Sequence, residues 1–577
     1  PAATSALAAS FRAAAPFPHL SLAPLLDPAF LAALRTELLE TCRADLKSND
    51  LFYFYQTASL SADAGGKKKK KKGPRGVGKK RARYNGEEAA EASGAAGGKL
   101  LRRLQKTLYS EHFRKLISDI TGQEKTLSDR VDISSLVFPK GGHLLCHDDR
   151  ISTRRVAFII YMVPDAGDFN PDDRGAWGEA DGGHLALFGS KSSERMGGGG
   201  GGGGLEPMGV EKRILPEWNA MVLFNVGERS FHAVEEVLAE EKPRLSVSGW
   251  YHAEDAGEGV AGGEKISEEE EENELRGVDR SVGELGKFMP EEYLKDDMRA
   301  QIKDAFDAES SLELRNFLKP AIADKLRAEL ETLADAGVVS ADDACPRGWE
   351  EVGPAIKRRY LRAAEGAYKG ALRGVEALLT SVEFSEWLRG ISSASKISGF
   401  RHAEIRWFRR GHGYTLMFDK TKTRAKSSSG ADAAAAAADD DDDDSSIPPA
   451  RTLCVNLCLA TGEPEPLAEP ADGAASPGAD GARTWEGGQA GGTLHYTCAG
   501  EEEPLFSAEP VFNSLSVVLA DEEVSSFVKY VSKAFAPGDR FDVAVEFEAE
   551  YEEEGEEEGE DEGSEEESSG GEEDNDE

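Results

Sequence analysis

Apolar residues recur at helical spacing at Phe30, Leu31, Leu34, Leu38 and Leu39. They follow Asp27-Pro28, a capping side chain and the residue best suited to a first helical turn, so the pattern predicts a helix to about Arg43. Leu100, Leu101, Leu104, Leu108, Phe113 and Leu116 predict a second helix. From there to about His252 the period changes. Apolar, β-branched and aromatic runs of strand length occupy 133–138, 156–163, 182–188, 220–224 and 245–251. Helical spacing returns at 291–306, 321–334 and about 355–392, and a second strand-rich segment runs from about 397 to 548. The Ala-rich residues 1–14 are expected to be loose.

The two strand-rich segments share internal spacings. Leu223 to Ser230-Phe231-His232 repeats as Leu519 to Ser526-Phe527-Val528, and His232 to Arg244 spans 12 residues, as does Val528 to Arg540. Gly182-Gly183-His184-Leu185 has its counterpart in Gly491-Gly492-Thr493-Leu494, and with one inserted residue His147-Asp148-Asp149 falls on Phe418-Asp419-Lys420. These spacings predict a duplication whose second copy has Phe418, Lys420 and Val528 where the first has His147, Asp149 and His232.

Three His-x-acid pairs occur, at His147/Asp149, His252/Glu254 and His402/Glu404, where chance alone gives about two in a chain so acidic. Only the first lies between strand-length runs and has a second His, His232, 83 residues after Asp149, with Arg244 following 12 residues later. Two imidazoles and one carboxylate on one face hold Fe(II) and leave three positions open. 2-Oxoglutarate fills two of those and needs a cation for its far carboxylate, which an Arg fork meets. His147, Asp149 and His232 are therefore the candidate metal ligands and Arg244 the candidate 2-oxoglutarate anchor. A double-stranded β-helix places His-x-Asp at such a strand end. The fold expected is α+β, mainly β: two double-stranded β-helix (jelly-roll) domains with supporting helices, the second a non-catalytic copy.

The division expected along the chain is a flexible start (1–14), a catalytic domain (15–255) with a Lys/Gly-rich insertion near 62–98, and an acidic linker (256–285). A non-catalytic domain (286–550) follows, with an Asp/Ala-rich insertion near 426–446, and then a disordered acidic tail (551–577). The net charge of −39 overstates the acidity of the folded part, since much of it sits in 268–272, 439–444 and 550–577. The tail reads either as a solubilising extension or as a docking segment for basic ribosomal or nuclear partners. Six Cys without a Cys-x-x-Cys pair point to reduced thiols in the cytosol or nucleus. No apolar run reaches transmembrane length, and the start lacks the basic-then-apolar order of a secretory signal, so no membrane partner is expected; direct DNA contact is not expected either. The basic island of 67–72 and 79–83 has three readings: a bipartite nuclear-import signal, an RNA-contacting loop or a solvated insertion. No aromatic residues interleave with it, which weakens the RNA reading. The expected location is nucleus and cytoplasm. The eight glycines of 197–204 read as a loop tip, because no Lys-Ser/Thr or helix start follows them.

Over roughly 15–253 and 286–548 the chain resembles the ribosomal-protein prolyl 3-hydroxylase family of Fe(II)- and 2-oxoglutarate-dependent oxygenases. The resemblance is carried by Leu144-Leu145-Cys146-His147-Asp148-Asp149, by Arg154-Arg155-Val156-Ala157-Phe158-Ile159-Ile160-Tyr161, and by Ser230-Phe231-His232 through Lys242-Pro243-Arg244-Leu245-Ser246-Val247-Ser248-Gly249-Trp250. Phe317-Leu318-Lys319-Pro320 and Asn513-Ser514-Leu515 also match. The resemblance implies hydroxylation at C3 of a prolyl residue in a small-subunit ribosomal protein near the decoding centre, with effects on translation accuracy or termination. It also implies Tyr161 as a second contact for 2-oxoglutarate, ascorbate as a reductant, and translation-termination or mRNA-processing factors as partners. The same site could act on another protein side chain, and both halves could instead serve as a translation or RNA-processing scaffold.

Overall fold

The computed structural model describes residues 2–58, 98–123, 127–165, 175–192, 204–254, 274–337, 345–364, 366, 370–417, 451–462, 485, 488–498, 501, 503–521 and 523–551. The first domain is one curled antiparallel sheet. Neighbour to neighbour it runs through His19–Leu22, Met221–Asn225, Arg154–Tyr161, Arg244–His252, Asp132–Phe138, Phe52–Thr57, His143–His147, His232–Val234, Leu185–Ser192 and Leu205–Ile214, with Ala44–Ser48 against Phe52–Thr57.

Strand alternation divides the side chains of this sheet between two environments. Val156, Phe158 and Ile160 share an apolar cluster with Leu245, Val247 and Tyr251 and with the helix residues Phe11, Leu31, Leu34, Leu101 and Leu104. The intervening Ala157 and Tyr161 lie in a separate cluster with Leu185, Leu187 and Phe224. One face is thus covered by the helices Ala2–Ala13, Pro28–Thr41, Lys99–Leu108 and Glu111–Thr121, and the other faces the inside of the curl. Asp27 caps its helix as expected, accepting from Phe30 N.

Several elements depart from the sequence reading. The Ala-rich start is not loose but a helix, Ala2–Ala13: alanine is the strongest helix former, and Phe11 is fully buried in the core. The single helix expected through Leu116 is two, because Ser110 ends the first and caps the second by accepting from Phe113 N, and Leu116 is exposed. The stretch read as the start of a helix near 355 contains a strand, Arg358–Ala363, paired with Trp349–Val352 and with Lys396–Phe408. Burial of Tyr360 and Leu361 between those neighbours overrides the helical spacing. The linker ends before residue 285, since Arg276 and Phe400 exchange backbone hydrogen bonds of 2.9 and 3.0 Å. No helix among the described residues is long and apolar enough to cross a membrane.

The second domain repeats the first. Its larger sheet runs through Ser311–Arg315, Ser514–Ala520, Arg451–Ala460, Arg540–Glu550, Lys396–Phe408 and Arg358–Ala363, which is the strand order of the first six members above. A smaller sheet of Phe506–Ala508, Leu494–Cys498 and Val524–Val528 faces it. The copies also share a device at one strand entrance. Asn219 (φ 62°) and Asn513 (φ 61°) each turn the backbone left-handed, and their amides bond Leu26 and Leu318 through both N and O.

The register refines the match between copies. Leu416 N donates to Lys357 O as Leu145 N donates to Leu51 O, which pairs Leu416 with Leu145 and sets the inserted residue before Leu416. His232 stands opposite Leu187, whereas Ser526 stands opposite Tyr496 at the same distance from the paired glycines, with Val528 opposite Leu494. The counterpart of His232 is therefore Ser526 rather than Val528; the constant chain spacing hid a two-residue shift that leaves every side chain on its face. A neutral hydroxyl does not replace the imidazole. Phe418 and Lys420, the basic island, the glycines 197–203, the Asp/Ala-rich insertion and the tail from 552 lie outside the described residues.

Phe158→Ala is expected to destabilise the first domain by about 3–5 kcal/mol, as for other buried aromatic residues. Leu46→Ala, at an exposed side chain, should shift stability by no more than about 0.5 kcal/mol. Urea unfolding followed by tryptophan fluorescence distinguishes the two.

Candidate metal centre

Two antiparallel neighbours bring the histidines together: His143–His147 pairs with His232–Val234 so that His147 lies directly opposite His232, with ring centroids 4.2 Å apart. Asp149 follows two residues beyond the strand end in a left-handed conformation (φ 62°), which Asp adopts more readily than most residues and which turns its carboxylate back toward the rings. Its Oδ1 is 3.5 Å from His147 Nε2 and its Oδ2 is 3.4 Å from His232 Nε2. The three ligand atoms lie within 4.8 Å of one another, and this is the one such grouping among the described residues.

The surroundings set the state of each ligand. His147 Nδ1 lies 2.8 Å from Leu145 O, and His232 Nδ1 lies 2.7 Å from Ser230 O. A carbonyl only accepts, so each Nδ1 carries its hydrogen and each Nε2 faces Asp149, where a metal would take the place of the proton that the charged ring shares with the carboxylate. Trp250 Nε1 donates to Asp149 Oδ2 at 2.9 Å, and Arg154, stacked 3.5 Å over the Trp250 ring, reaches within 3.7 Å of Asp149 Oδ1. Ser230 Oγ donates to Asp148 O at 2.9 Å, tying the two ligand-bearing loops together. Burial would raise the Asp149 carboxyl pKa, but hydrogen bonds from both imidazoles outweigh it and hold the group well below its usual range. Burial also opposes charge on His147, yet Asp149 outweighs it and raises that pKa. A carboxylate held ionised between two imidazoles is a cation site.

Arg244 opens the strand Arg244–His252, and alternation sets Arg244, Ser246, Ser248 and Trp250 on the inner face shared with Asp149. The guanidinium is fully buried. Its Nε donates to Gly183 O at 2.7 Å, an Nη lies 3.4 Å from Tyr161 Oη, and the Phe138 and Tyr161 rings each lie 5.0 Å away. No carboxylate pairs with it among the described residues, and the buried Ser246 Oγ has no hydrogen-bond partner. An uncompensated buried cation beside an orphaned hydroxyl suits a small carboxylate ligand, and the nearby His-Asp-His set suits Fe(II). The second copy differs at this point. Arg540 keeps the bond to the matching glycine carbonyl, Gly492 O, but pairs with Asp542 at 3.0 Å, and Asp542 also binds Arg406. Asp542 occupies the register position of Ser246, and Cys458 that of Tyr161.

Residues 133–252 match the model of the 2OG-Fe(II) oxygenase superfamily, and residues 280–555 match the model described as the oxoglutarate and iron-dependent oxygenase degradation C-terminal domain. The chain belongs to the 2-oxoglutarate- and iron-dependent oxygenases. Among curated relatives, prolyl 3,4-dihydroxylase OGFOD1 of Ostreococcus tauri is 29% identical, with the match covering 92% of this chain and 95% of the relative. Prolyl 3-hydroxylase OGFOD1 of Xenopus laevis is 28% identical over 90% of this chain and 83% of its own. A solved Pseudomonas putida prolyl-4-hydroxylase is 16% identical over 43% of this chain and 98% of its own, with a TM-score of 0.26.

All five residues singled out from the oxygenase sequence, His147, Asp149, His232, Arg244 and Tyr161, meet at this one site. The two other His-x-acid pairs do not. His252 is buried against Thr153 Oγ1 at 3.0 Å and lies 3.7 Å from Asp132, and His402 sits 3.5 Å from Glu404 in the second domain. Sequence reasoning did not assign Trp250, Arg154 or Ser246 a part in the site. For Trp250 and Ser246 the signal was available, since both lie an even number of residues from Arg244 on a strand.

Asp149→Ala should abolish metal binding while the fold persists, and Trp250→Phe should weaken it about 10- to 100-fold by freeing the carboxylate. His402→Ala should leave it unchanged. Anaerobic Fe(II) or Mn(II) titration of the purified variants measures all three.

Proposed function

We propose that this protein is a 2-oxoglutarate-dependent prolyl hydroxylase in which His147, Asp149 and His232 hold Fe(II) and Arg244, with Tyr161, holds the far carboxylate of 2-oxoglutarate. The observation that carries this reading is the contrast between the two buried arginines: Arg540 has Asp542, whereas Arg244 has no acid among the described residues and shares a strand face with Trp250, the donor to Asp149 of the His-Asp-His set. Bound there, iron with 2-oxoglutarate and O2 supplies the oxidising power for hydroxylation of an unactivated carbon. The chain's own residues orient and exclude. The carbonyls of Leu145 and Ser230 fix both imidazoles, Trp250 and Arg154 fix the carboxylate, and the apolar Phe138, Tyr161 and Phe224 keep water from the inner face. That relatives matching along most of their length are named a prolyl 3,4-dihydroxylase and a prolyl 3-hydroxylase supports a prolyl residue, hydroxylated at C3, as the target.

The substrate is a small-subunit ribosomal protein near the decoding centre. The strong net negative charge supports a basic partner of this kind, and the protein works in nucleus and cytoplasm. The test is to incubate full-length protein with Fe(II), ascorbate, 2-oxoglutarate and purified small ribosomal subunits, then map +16 Da shifts by peptide mass spectrometry. A hydroxylated proline supports the reading; succinate formation with modification only at other residue types overturns the choice of target.

Arg244→Ala should retain iron but lose about 2–5 kcal/mol of 2-oxoglutarate binding, an increase of at least about thirtyfold in the required concentration. Succinate production against 2-oxoglutarate concentration checks it.

A further inference from the structure

Two residues past the strand His232–Val234, Glu236 leaves the first domain and is almost fully buried by the second. Four donors from one short segment of the second domain converge on its carboxylate. Oε2 accepts from Lys533 N at 2.6 Å and Tyr530 Oη at 3.2 Å, and Oε1 accepts from Ala534 N at 3.2 Å and from Ser532 Oγ. The contact continues around it. The His143 ring lies 4.4 Å from the Tyr530 ring, Lys140 lies over Phe535, and Leu145 is buried with Tyr414, Leu416 and Tyr530. The second domain therefore braces the outer side of the strand that ends in His147.

The backbone of Glu236 faces the other way. Its carbonyl accepts from Gly183 N at 3.0 Å, and Gly183 O accepts from Arg244 Nε at 2.7 Å. Gly183 fills a tight place, because a Cβ there would lie 2.8 Å from Arg244 Cδ. One residue thus connects the Tyr530–Ala534 segment to the guanidinium of the first domain through two consecutive hydrogen bonds.

We propose that Glu236 is a positioning residue through which the second domain sets Arg244 for 2-oxoglutarate. The inference rests on the reading of Arg244 given above. The site is built for a carboxylate and not for an amide. Each oxygen accepts one backbone N–H, and a backbone N–H cannot turn to accept, so a glutamine in either orientation sets its NH2 against Lys533 N or Ala534 N. The hydroxyls of Tyr530 and Ser532 can rotate, which leaves one repulsive contact rather than a collapsed interface.

The experiment compares full-length wild type, Glu236→Gln, Ser532→Ala, the double variant and Arg244→Ala. It measures iron binding, the KM for 2-oxoglutarate, kcat, and amide hydrogen exchange across 530–536. Glu236→Gln should speed exchange at Lys533 and Ala534, raise the KM for 2-oxoglutarate about tenfold (~1.4 kcal/mol) and leave iron affinity and kcat within about twofold. Ser532→Ala should shift the KM in the same direction by less, and the double variant should fall short of the sum of the two, as coupled residues do. Should Glu236→Gln fail to fold, Ser532→Ala alone carries the test, since a wild-type KM in that variant alongside faster exchange at 533–534 refutes the coupling. Faster exchange with an unchanged KM in Glu236→Gln overturns the proposal, as does unchanged exchange. An unchanged KM in Arg244→Ala refutes instead the reading of the arginine, so the two failures are told apart.

Discussion

A buried guanidinium requires an anion, and the two halves of this molecule meet that requirement differently. Burial works against the charge on Arg244, whose protein partners are a carbonyl, a phenol hydroxyl and two aromatic faces. None of these neutralises it, which is why a carboxylate ligand is proposed to complete the site. Arg540 has the same strand position and the same glycine carbonyl, but Asp542 takes the ligand's role from within. One register position, Ser246 in one copy and Asp542 in the other, decides whether the buried arginine has an acid within its own strand.

The closed network gives the second domain a different character. Asp542 lies between Arg406 and Arg540, and both arginines outweigh the burial that would otherwise raise its pKa. Buried charges in such a cluster hold one another in place, and removing any one leaves the others uncompensated. Where the first copy has a buried arginine without an acid among the described residues, the second has a closed ion cluster. A domain without moving ligands is well suited to bracing the back of its neighbour's catalytic strand.

Much of this was written in the chain. The fold class could be read from the change of apolar period near residue 130, and the metal site from the association of His147, Asp149, His232 and Arg244. Strand residues alternate strictly, so motif spacing there translates almost directly into geometry. The reading failed where tertiary context decides. Ala2–Ala13 is a helix because Phe11 finds a core contributed by residues far along the chain, and Arg358–Ala363 is a strand because partners on both sides bury Tyr360 and Leu361. The two-residue slip between His232 and Ser526 escaped notice for a related reason. A shift by an even number preserves the pattern of faces, so only the hydrogen-bonded ladder records it. Glu236 gave no signal either, since it is one glutamate among many until the second domain closes over it.

The paired glycines carry a consequence for how residue importance is inferred. Gly182 and Gly183 take left-handed φ values of 67° and 68°, and Gly491 and Gly492 take 72° and 73° in a domain whose arginine already has its own acid. A side chain at Gly182 would strike Glu236 O at 2.3 Å, and one at Gly491 would strike Tyr530 O at 1.7 Å. The motif has therefore outlived the chemistry in one copy, which marks it as a requirement of closing the barrel. Invariance of such glycines across a collection of sequences would not separate active domains from inert ones. The positions that differ between the two copies are the counterparts of His232 and Tyr161 and the neighbour two places along the strand from the arginine.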